Sequence, residues 1–163
     1  MAKLTDYLSE EFLFEKTSPE QKTSLIKDIL VDADALVALI KTNDSNHKKA
    51  LEINDKLQKK GTTYYLSPFT TAEVTTVLSY KVSQQAAKSF LKEIRKLDLP
   101  ILKLEEKHSS LADKWFLKQN KKGVSYFDCY NMALLERYKA QITAIFSFDA
   151  IYKKNGFKLA ENL

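Results

Sequence analysis

The stretch ILVDAD at residues 29–34 joins a short apolar run to two carboxylates. An apolar run of this length that ends at polar residues predicts a buried strand. Asp32 then lies at the carboxyl end of that strand, which is the edge where open α/β sheets bind their ligands. The stretch therefore predicts an α/β fold with a polar site at one edge of its sheet.

Four further apolar runs follow, at residues 63–66, 101–104, 142–146 and, more weakly, 157–159. Between them lie longer segments whose apolar residues recur at helical spacing. These segments predict helices from Asp44 or Ser45 to Gly61, from Ser67-Pro68 to residue 79, and over residues 83–96, 105–122 and 126–139. Strands that alternate with helices in this way predict an α/β domain with a mostly parallel, five-stranded sheet.

The length and composition favour one soluble domain. A chain of 163 residues can bury its own core. The single cysteine, Cys129, cannot form an internal disulfide, and this favours a reducing compartment. No apolar run resembles a signal peptide or reaches membrane-spanning length. We therefore expect a cytoplasmic protein that does not enter membranes.

The first 28 residues precede the first predicted strand. Ser18-Pro19 is typical of a helix start, so we expect a helical arm or extension at residues 1–28 and the main domain at residues 29–163. One hypothesis is that this arm covers the functional site and inhibits it. Deletion of residues 1–27 without any change in activity or oligomeric state would contradict that hypothesis.

The charge balance fits a polyanionic partner without proving one. The net charge is +5 and the isoelectric point is about 9.1, with Arg95 and Arg137 as the only arginines. Lysine binds phosphate as a point charge, but lysine-rich surfaces also serve solubility. The candidates for phosphate contacts are Lys48-Lys49, Lys121-Lys122, Lys153-Lys154 and Arg137.

Three more acidic residues are predicted at the same edge as Asp32. Asp149 follows the run at residues 142–146. Glu73 lies in the second turn, and Asp128 in the first turn, of predicted helices that begin where parallel strands end. Glu73 stands out because its helix is otherwise apolar and threonine-rich, where a buried charge is costly. Each acid alone also fits a loop or helix-cap role, and only their joint placement indicates a functional site.

Four converging carboxylates repel one another unless a cation neutralises them. Oxygen ligands favour Mg²⁺ or Mn²⁺ over zinc. A metal held in this way can activate a water molecule against a phosphodiester, and hydrolysis then leaves a 5′-phosphate and a 3′-hydroxyl. The scheme needs no histidine base, which agrees with a chain whose only histidines are His47 and His108.

Four blocks of the sequence resemble those of PIN domains in their order and spacing. They read ILVDADALVAL at residues 29–39, LSPFTTAEV at 66–74, FDCYNMA at 127–133 and FSFD at 146–149, with Gly156-Phe157 after the last block. The resemblance covers residues 29–160. It implies a Rossmann-like, three-layer α/β/α sandwich and a Mg²⁺- or Mn²⁺-dependent nuclease that acts mostly on RNA. Many small bacterial and archaeal PIN domains are toxins of VapBC-type toxin–antitoxin pairs.

The resemblance also assigns roles to individual residues. It implies that the catalytic and metal-binding acids are Asp32, Glu73, Asp128 and Asp149. Ser147 stands where the family usually has threonine or serine. Asp34 departs from the small polar residue that is common there, so it adds a metal ligand, hydrogen-bonds to the ligands or alters the metal preference. The implied partners are an RNA substrate, an antitoxin and a second copy of the chain in a homodimer.

Two other functions remain open at this stage. A non-catalytic module could keep the PIN fold and serve as an RNA-binding or assembly partner, although all four acids are present. A phosphatase of the haloacid-dehalogenase kind could use Asp32-Ala33-Asp34 as its nucleophile motif. That second alternative lacks the additional acidic pair that such an enzyme needs, because residues 147–149 contain only one acid.

Overall fold

A computed structural model describes residues 28–163 of the chain. The arm predicted at residues 1–28 lies outside the described residues, except for Asp28, which begins the first strand. In the described part, no helix is both long and apolar enough to cross a membrane.

The described sheet is parallel and has three strands, in the order β2-β1-β3. Strand β1 covers Asp28–Val31, β2 covers Tyr64–Leu66 and β3 covers Ile142–Phe146. Both outer strands run parallel to β1, so all three carboxyl ends lie at one edge. The predicted α/β class with a parallel sheet is therefore confirmed.

The predicted count of five strands is wrong for the described residues. Each of the two remaining apolar runs makes a single parallel bridge, Leu66 to Ile101 and Ile145 to Leu159. The first run meets β2 only at the last residue of that strand, Leu66, and farther along the run the N–H of Leu104 donates to the hydroxyl of Tyr130, 3.0 Å away. The second run turns directly into a 3₁₀ helix at Ala160–Asn162.

The helices connect the strands and complete the domain. We label them α1 to α7 in chain order, and a 3₁₀ turn at Glu106–His108 precedes α5. Their bounds are Ala33–Ile40, His47–Lys59, Thr70–Lys81, Gln84–Lys96, Ser110–Leu117, Tyr126–Arg137 and Ala150–Lys154.

The helices pack on both faces of the sheet. Ile29 and Val31 point to one face and share a buried cluster with residues of α1 to α4. Leu30 points to the other face and joins a second cluster with residues of α6 and α7. This alternation follows from the two-residue period of a strand. The predicted three-layer α/β/α sandwich is confirmed.

Three predicted helix starts or lengths differ from the structure. Helix α2 begins at His47 instead of directly after Asp44 or Ser45, and the carboxylate of Asp44 accepts from the N–H of Asn46. Helix α3 begins at Thr70, because Ser67 binds the N–H of Phe69 and closes a turn before the helix. The helix predicted at 105–122 is shorter in the structure, where α5 covers Ser110–Leu117 and follows the 3₁₀ turn at Glu106–His108.

Candidate active site

Asp32 lies at the carboxyl end of β1, where the sequence predicts it. Its backbone N–H extends the pairing with β3 by donating to the carbonyl of Phe146, at 3.0 Å. Its side chain caps α1 by accepting from the N–H of Ala33, at 2.9 Å. Only 6% of the residue is exposed. Burial, followed by the charges of Asp34 and Asp128, raises the pKa of Asp32 well above its usual value.

Asp34 links the ends of two neighbouring strands. Its Oδ2 accepts from the Ser147 hydroxyl at 3.2 Å and from the N–H of Phe148 at 2.8 Å, both just beyond β3. Its Oδ1 is buried without a hydrogen-bond partner. Burial raises the pKa of Asp34 to about 6, although these hydrogen bonds act in the opposite direction. Asp34 is thus part of the acidic group and not an outlying cap.

Glu73 and Asp128 bring α3 and α6 to the same edge. Glu73 lies half-buried in the first turn of α3, and burial followed by the charges of Asp128 and Asp34 raises its pKa to about 7. Asp128 lies in the first turn of α6 and forms a capping box with Ser125. Its Oδ2 accepts from the Ser125 N–H at 2.9 Å, and its own N–H donates to the Ser125 hydroxyl at 3.0 Å.

Asp149 completes the group at its exposed side. It caps α7 by accepting from the N–H of Ile151 at 2.8 Å, while the Ser147 hydroxyl accepts from its backbone N–H at 3.0 Å. Its charge also raises the pKa of Asp34. The structure therefore places Asp32, Asp34, Glu73, Asp128 and Asp149 near one another at the carboxyl edge of the sheet.

Two buried polar residues that the sequence interpretation did not single out connect these acids. The Asn131 amide donates to Oδ1 of Asp32 and to the Tyr152 hydroxyl, both at 3.1 Å. The Tyr152 hydroxyl in turn donates to Oδ1 of Asp128 at 3.3 Å. Asn131 is 1% exposed and Tyr152 is fully buried. A signal was present, since Asn131 follows Asp128 by three residues and so lies on the same side of α6.

None of the five acids forms an ion pair with a lysine or arginine of the described residues. Three of these carboxyls have raised pKa values because burial and like charges disfavour ionisation. A divalent cation would remove this repulsion, and the unpartnered Oδ1 of Asp34 is an oxygen ligand of the kind that Mg²⁺ and Mn²⁺ accept. The residues therefore fit such an ion.

The carboxylates do not form a closed ligand cage. Within residues 28–163, no three His, Cys, Asp or Glu side chains are arranged as a group that could hold a metal ion. The reason is that Asp32 and Asp149 each cap a helix, Asp128 belongs to a capping box and Asp34 is held by β3. Mg²⁺ usually keeps several waters and needs only one or two carboxylates, so this arrangement still suits it.

A small hollow beside the acids is lined by basic residues. Lys121, Lys122 and Gly123 share it with Asp128 and Asp149. This places the predicted phosphate contact at Lys121-Lys122 next to the candidate site.

Two other predicted phosphate contacts are engaged in ion pairs. Lys49 pairs with Glu161, and Arg137 pairs with Glu105 at 3.1 Å.

Cys129 is buried, and its pKa is raised to about 11 by burial and by Asp128. It is therefore a thiol and not a nucleophilic thiolate at neutral pH.

The sequence matches the model of the PIN domain family over residues 29–158, which is most of the chain. The chain belongs to the PIN domain family. The match confirms the resemblance drawn from the four sequence blocks. It also starts and ends within the part of the chain that the structure describes.

Among solved structures, this PIN domain is similar to the VapC20 toxin of Mycobacterium tuberculosis, a toxin that cleaves the sarcin-ricin loop. The TM-score is 0.65 and the sequence identity is 21%. The similarity covers 79% of this chain and 95% of the other. At this identity the similarity shows a shared fold. No curated protein sequence matches the chain significantly.

Proposed function

We propose that this PIN domain is an endoribonuclease that hydrolyses phosphodiester bonds with the help of Mg²⁺ or Mn²⁺. The observation that carries the proposal is the set of five carboxyls at one edge of the sheet, three of which have raised pKa values. A buried acidic group of this kind is costly to a protein unless it binds a cation. Family membership supports the same reaction.

Asp32, Glu73, Asp128 and Asp149 are the proposed catalytic and metal-binding residues, and Asp34 is a fifth candidate ligand. A divalent ion held by these residues would activate a water molecule and neutralise charge on the phosphate. Asn131 and Tyr152 fix the orientation of Asp32 and Asp128 through their hydrogen bonds. Ser147 does the same for Asp34, so a preorganised set of oxygens faces the substrate.

The experiment that tests this proposal uses labelled single-stranded RNA with Mg²⁺, with Mn²⁺ and with excess EDTA. We expect cleavage that leaves 5′-phosphate ends and that is abolished by EDTA. Asp128→Asn should lower the rate at least about a hundredfold, because it removes one charge from the acidic group. Asp55→Asn is the matched control, since Asp55 is exposed on α2 and pairs with Lys59.

One outcome of this experiment would contradict the nuclease proposal. Absence of cleavage with either ion, together with no thermal stabilisation by Mn²⁺, would favour the alternative of a non-catalytic PIN-fold module that binds RNA or assembles with partners. The haloacid-dehalogenase alternative has lost its support, because the chain belongs to a different family.

The biological partners are also part of the proposal. The similarity to the VapC20 toxin supports the role of a toxin. An antitoxin as protein partner and a homodimer as the functional form are implied by the family resemblance alone. Light scattering on the purified chain tests the homodimer. Growth arrest on expression, lost in Asp128→Asn, tests the toxin role. A monomer in light scattering would contradict the homodimer. An active nuclease that does not arrest growth would contradict the toxin role.

A further inference from the structure

Three large aromatic side chains lie exposed beside the acidic edge. Phe116 at the end of α5 is 43% exposed, while Tyr126 and Phe127 at the start of α6 are 41% and 39% exposed. We call these three residues the aromatic surface. Phe116 and Tyr126 are in ring contact, and Phe127 follows Tyr126 directly in the sequence. Clustered exposed rings of this kind are common where a protein contacts a ligand or partner.

The rings of the aromatic surface are held in place although they are exposed. Phe127 packs on Phe69 with ring centres 5.1 Å apart, and Tyr126 packs on Phe116 at 5.9 Å. The Tyr126 hydroxyl donates to Asp113 at 2.6 Å. Since each ring is fixed from one side, little conformational entropy is lost when a flat ligand covers the other side.

The aromatic surface is tied to the acidic group through the backbone. Tyr126 and Phe127 directly precede Asp128 in the first turn of α6. Phe69, on which Phe127 packs, accepts the backbone N–H of Glu73 at 2.9 Å. The Phe69–Phe127 pair therefore lies next to two of the proposed catalytic acids.

The segment that joins α5 to α6 beside the aromatic surface is basic. Residues 118–125, which connect α5 to α6, contain Lys118, Lys121 and Lys122 and no acidic residue. Lys121 and Lys122 line the hollow that they share with Asp128 and Asp149. Exposed rings next to lysines are the combination that binds unpaired nucleotides, because bases stack on the rings and phosphates contact the lysines. Base-paired RNA would keep its base faces covered.

We propose that the aromatic surface binds bases of single-stranded RNA next to the scissile phosphate, with Phe127 as the stacking residue closest to the acids. Lys121 and Lys122 contact the phosphates on the adjoining side. The inference rests on the proposed ribonuclease function and names the residues that bind the bases beside the scissile phosphate.

The test measures the affinity of the full-length protein for a labelled single-stranded RNA by fluorescence anisotropy, in EDTA and, with rapid mixing, in Mn²⁺. One base at a time is replaced by an abasic nucleotide. We expect one or two positions at which the abasic change weakens binding about tenfold. Phe127→Leu should weaken binding of the intact RNA by a similar factor. In that variant the same abasic change should have no further effect on affinity. Phe127→Trp should bind the intact RNA as tightly as the wild type does.

Tyr80→Leu is the matched control, because Tyr80 is 84% exposed and lies in the last turn of α3, whereas Glu73 lies in the first turn. It should bind and cleave as the wild type does. Since the abasic series uses unmodified protein, it remains informative even if a Phe127 variant folds poorly.

Three results would overturn the inference: equal affinity of Phe127→Leu and wild type, an abasic series without effect, or a change of oligomeric state in Phe127→Leu with unchanged RNA affinity. The last result would assign the surface to a protein contact. If the wild type still cleaves RNA and any of these three results is obtained, the inference about the aromatic surface is wrong and the proposed function is unaffected. Loss of all metal-dependent cleavage would instead remove the proposed function, and the affinity series would still test stacking.

Discussion

Asp34 illustrates how burial changes the properties of a single residue. Two donors beyond β3 hold one of its oxygens, and the other oxygen is buried without a partner. From the sequence, Asp34 was either a further ligand or a neighbour of the ligands. Its raised pKa and its proximity to Asp32 and Asp149 place it inside the acidic group, a result that depends on tertiary packing and not on local pattern.

The first residue-level prediction concerns pH. Folding raises the pKa of Asp34 to about 6 and that of Glu73 to about 7, from ordinary values of 3.8 and 4.5. These carboxyls bind protons more tightly in the folded protein, so their stabilising effect is complete below the ordinary values and is lost as the pH rises through 6 and 7. The melting temperature in EDTA should therefore fall between pH 5 and pH 8, and Mn²⁺ should restore it at pH 8.

The control for this prediction removes the titrating groups. Asp34→Asn and Glu73→Gln should each flatten the fall in melting temperature between pH 5 and pH 8. An identical pH profile in both variants and in wild type would show that other groups govern the stability in this range.

The second residue-level prediction concerns the buried hydroxyl of Tyr152. Tyr152→Phe leaves the amide of Asn131 and one oxygen of Asp128 without that partner, and a buried polar group without a partner costs about 1–3 kcal/mol. We expect a loss of that size in urea unfolding, together with weaker Mn²⁺ binding. Tyr138→Phe is the matched control, because its hydroxyl bond to the Lys103 carbonyl is exposed. Equal effects of the two substitutions would contradict the prediction.

At the level of elements, the sequence predicted best where a local signal and a tertiary requirement agree. Helix α6 begins at Tyr126 as predicted, with Ser125 as its cap, and β1 and β3 lie where their apolar runs predict. The prediction failed at residues 101–104, because an apolar run does not reveal that β2 ends at Leu66 and that the Leu104 N–H binds Tyr130 instead of a strand. It also missed Asn131 and Tyr152, since their roles exist only after α6 and α7 meet β1.

The cap of α6 provides a prediction at this scale. Ser125→Ala removes the acceptor for the N–H of Asp128 and should destabilise the protein by about 1 kcal/mol. Because the same capping box orients the Asp128 carboxylate, we also expect weaker Mn²⁺ binding and slower RNA cleavage. Ser83→Ala is matched to it, since Ser83 caps α4 through the N–H of Ala86 at 3.0 Å. That control should lose similar stability and keep its metal affinity.

On the scale of the whole molecule, the fold explains why acids from distant parts of the sequence meet. The parallel sheet places the ends of β1 and β3 at one edge, and α3 and α6 begin beside them. The division into an arm at residues 1–28 and a nuclease domain at residues 29–163 remains a prediction, as does control of the site by the arm. A chain that lacks residues 1–27 and cleaves RNA faster than the full chain would support that control.

The net charge of +5 leads to the last prediction, which concerns salt. Binding of single-stranded RNA releases counterions, and the slope of log K against log salt changes by about 0.7 for each phosphate that a protein charge neutralises. If Lys121 and Lys122 contact phosphates beside Asp128, replacing both by alanine should make the slope shallower by about 1.4 and weaken binding at low salt. Replacing Lys88 and Lys92 on α4 changes the net charge equally, but these lysines lie on a helix that carries none of the proposed acids. Titrations in EDTA at several salt concentrations measure both slopes. Equal changes in the two double variants would mean that the overall charge of the protein, and not the hollow beside the acids, attracts the RNA.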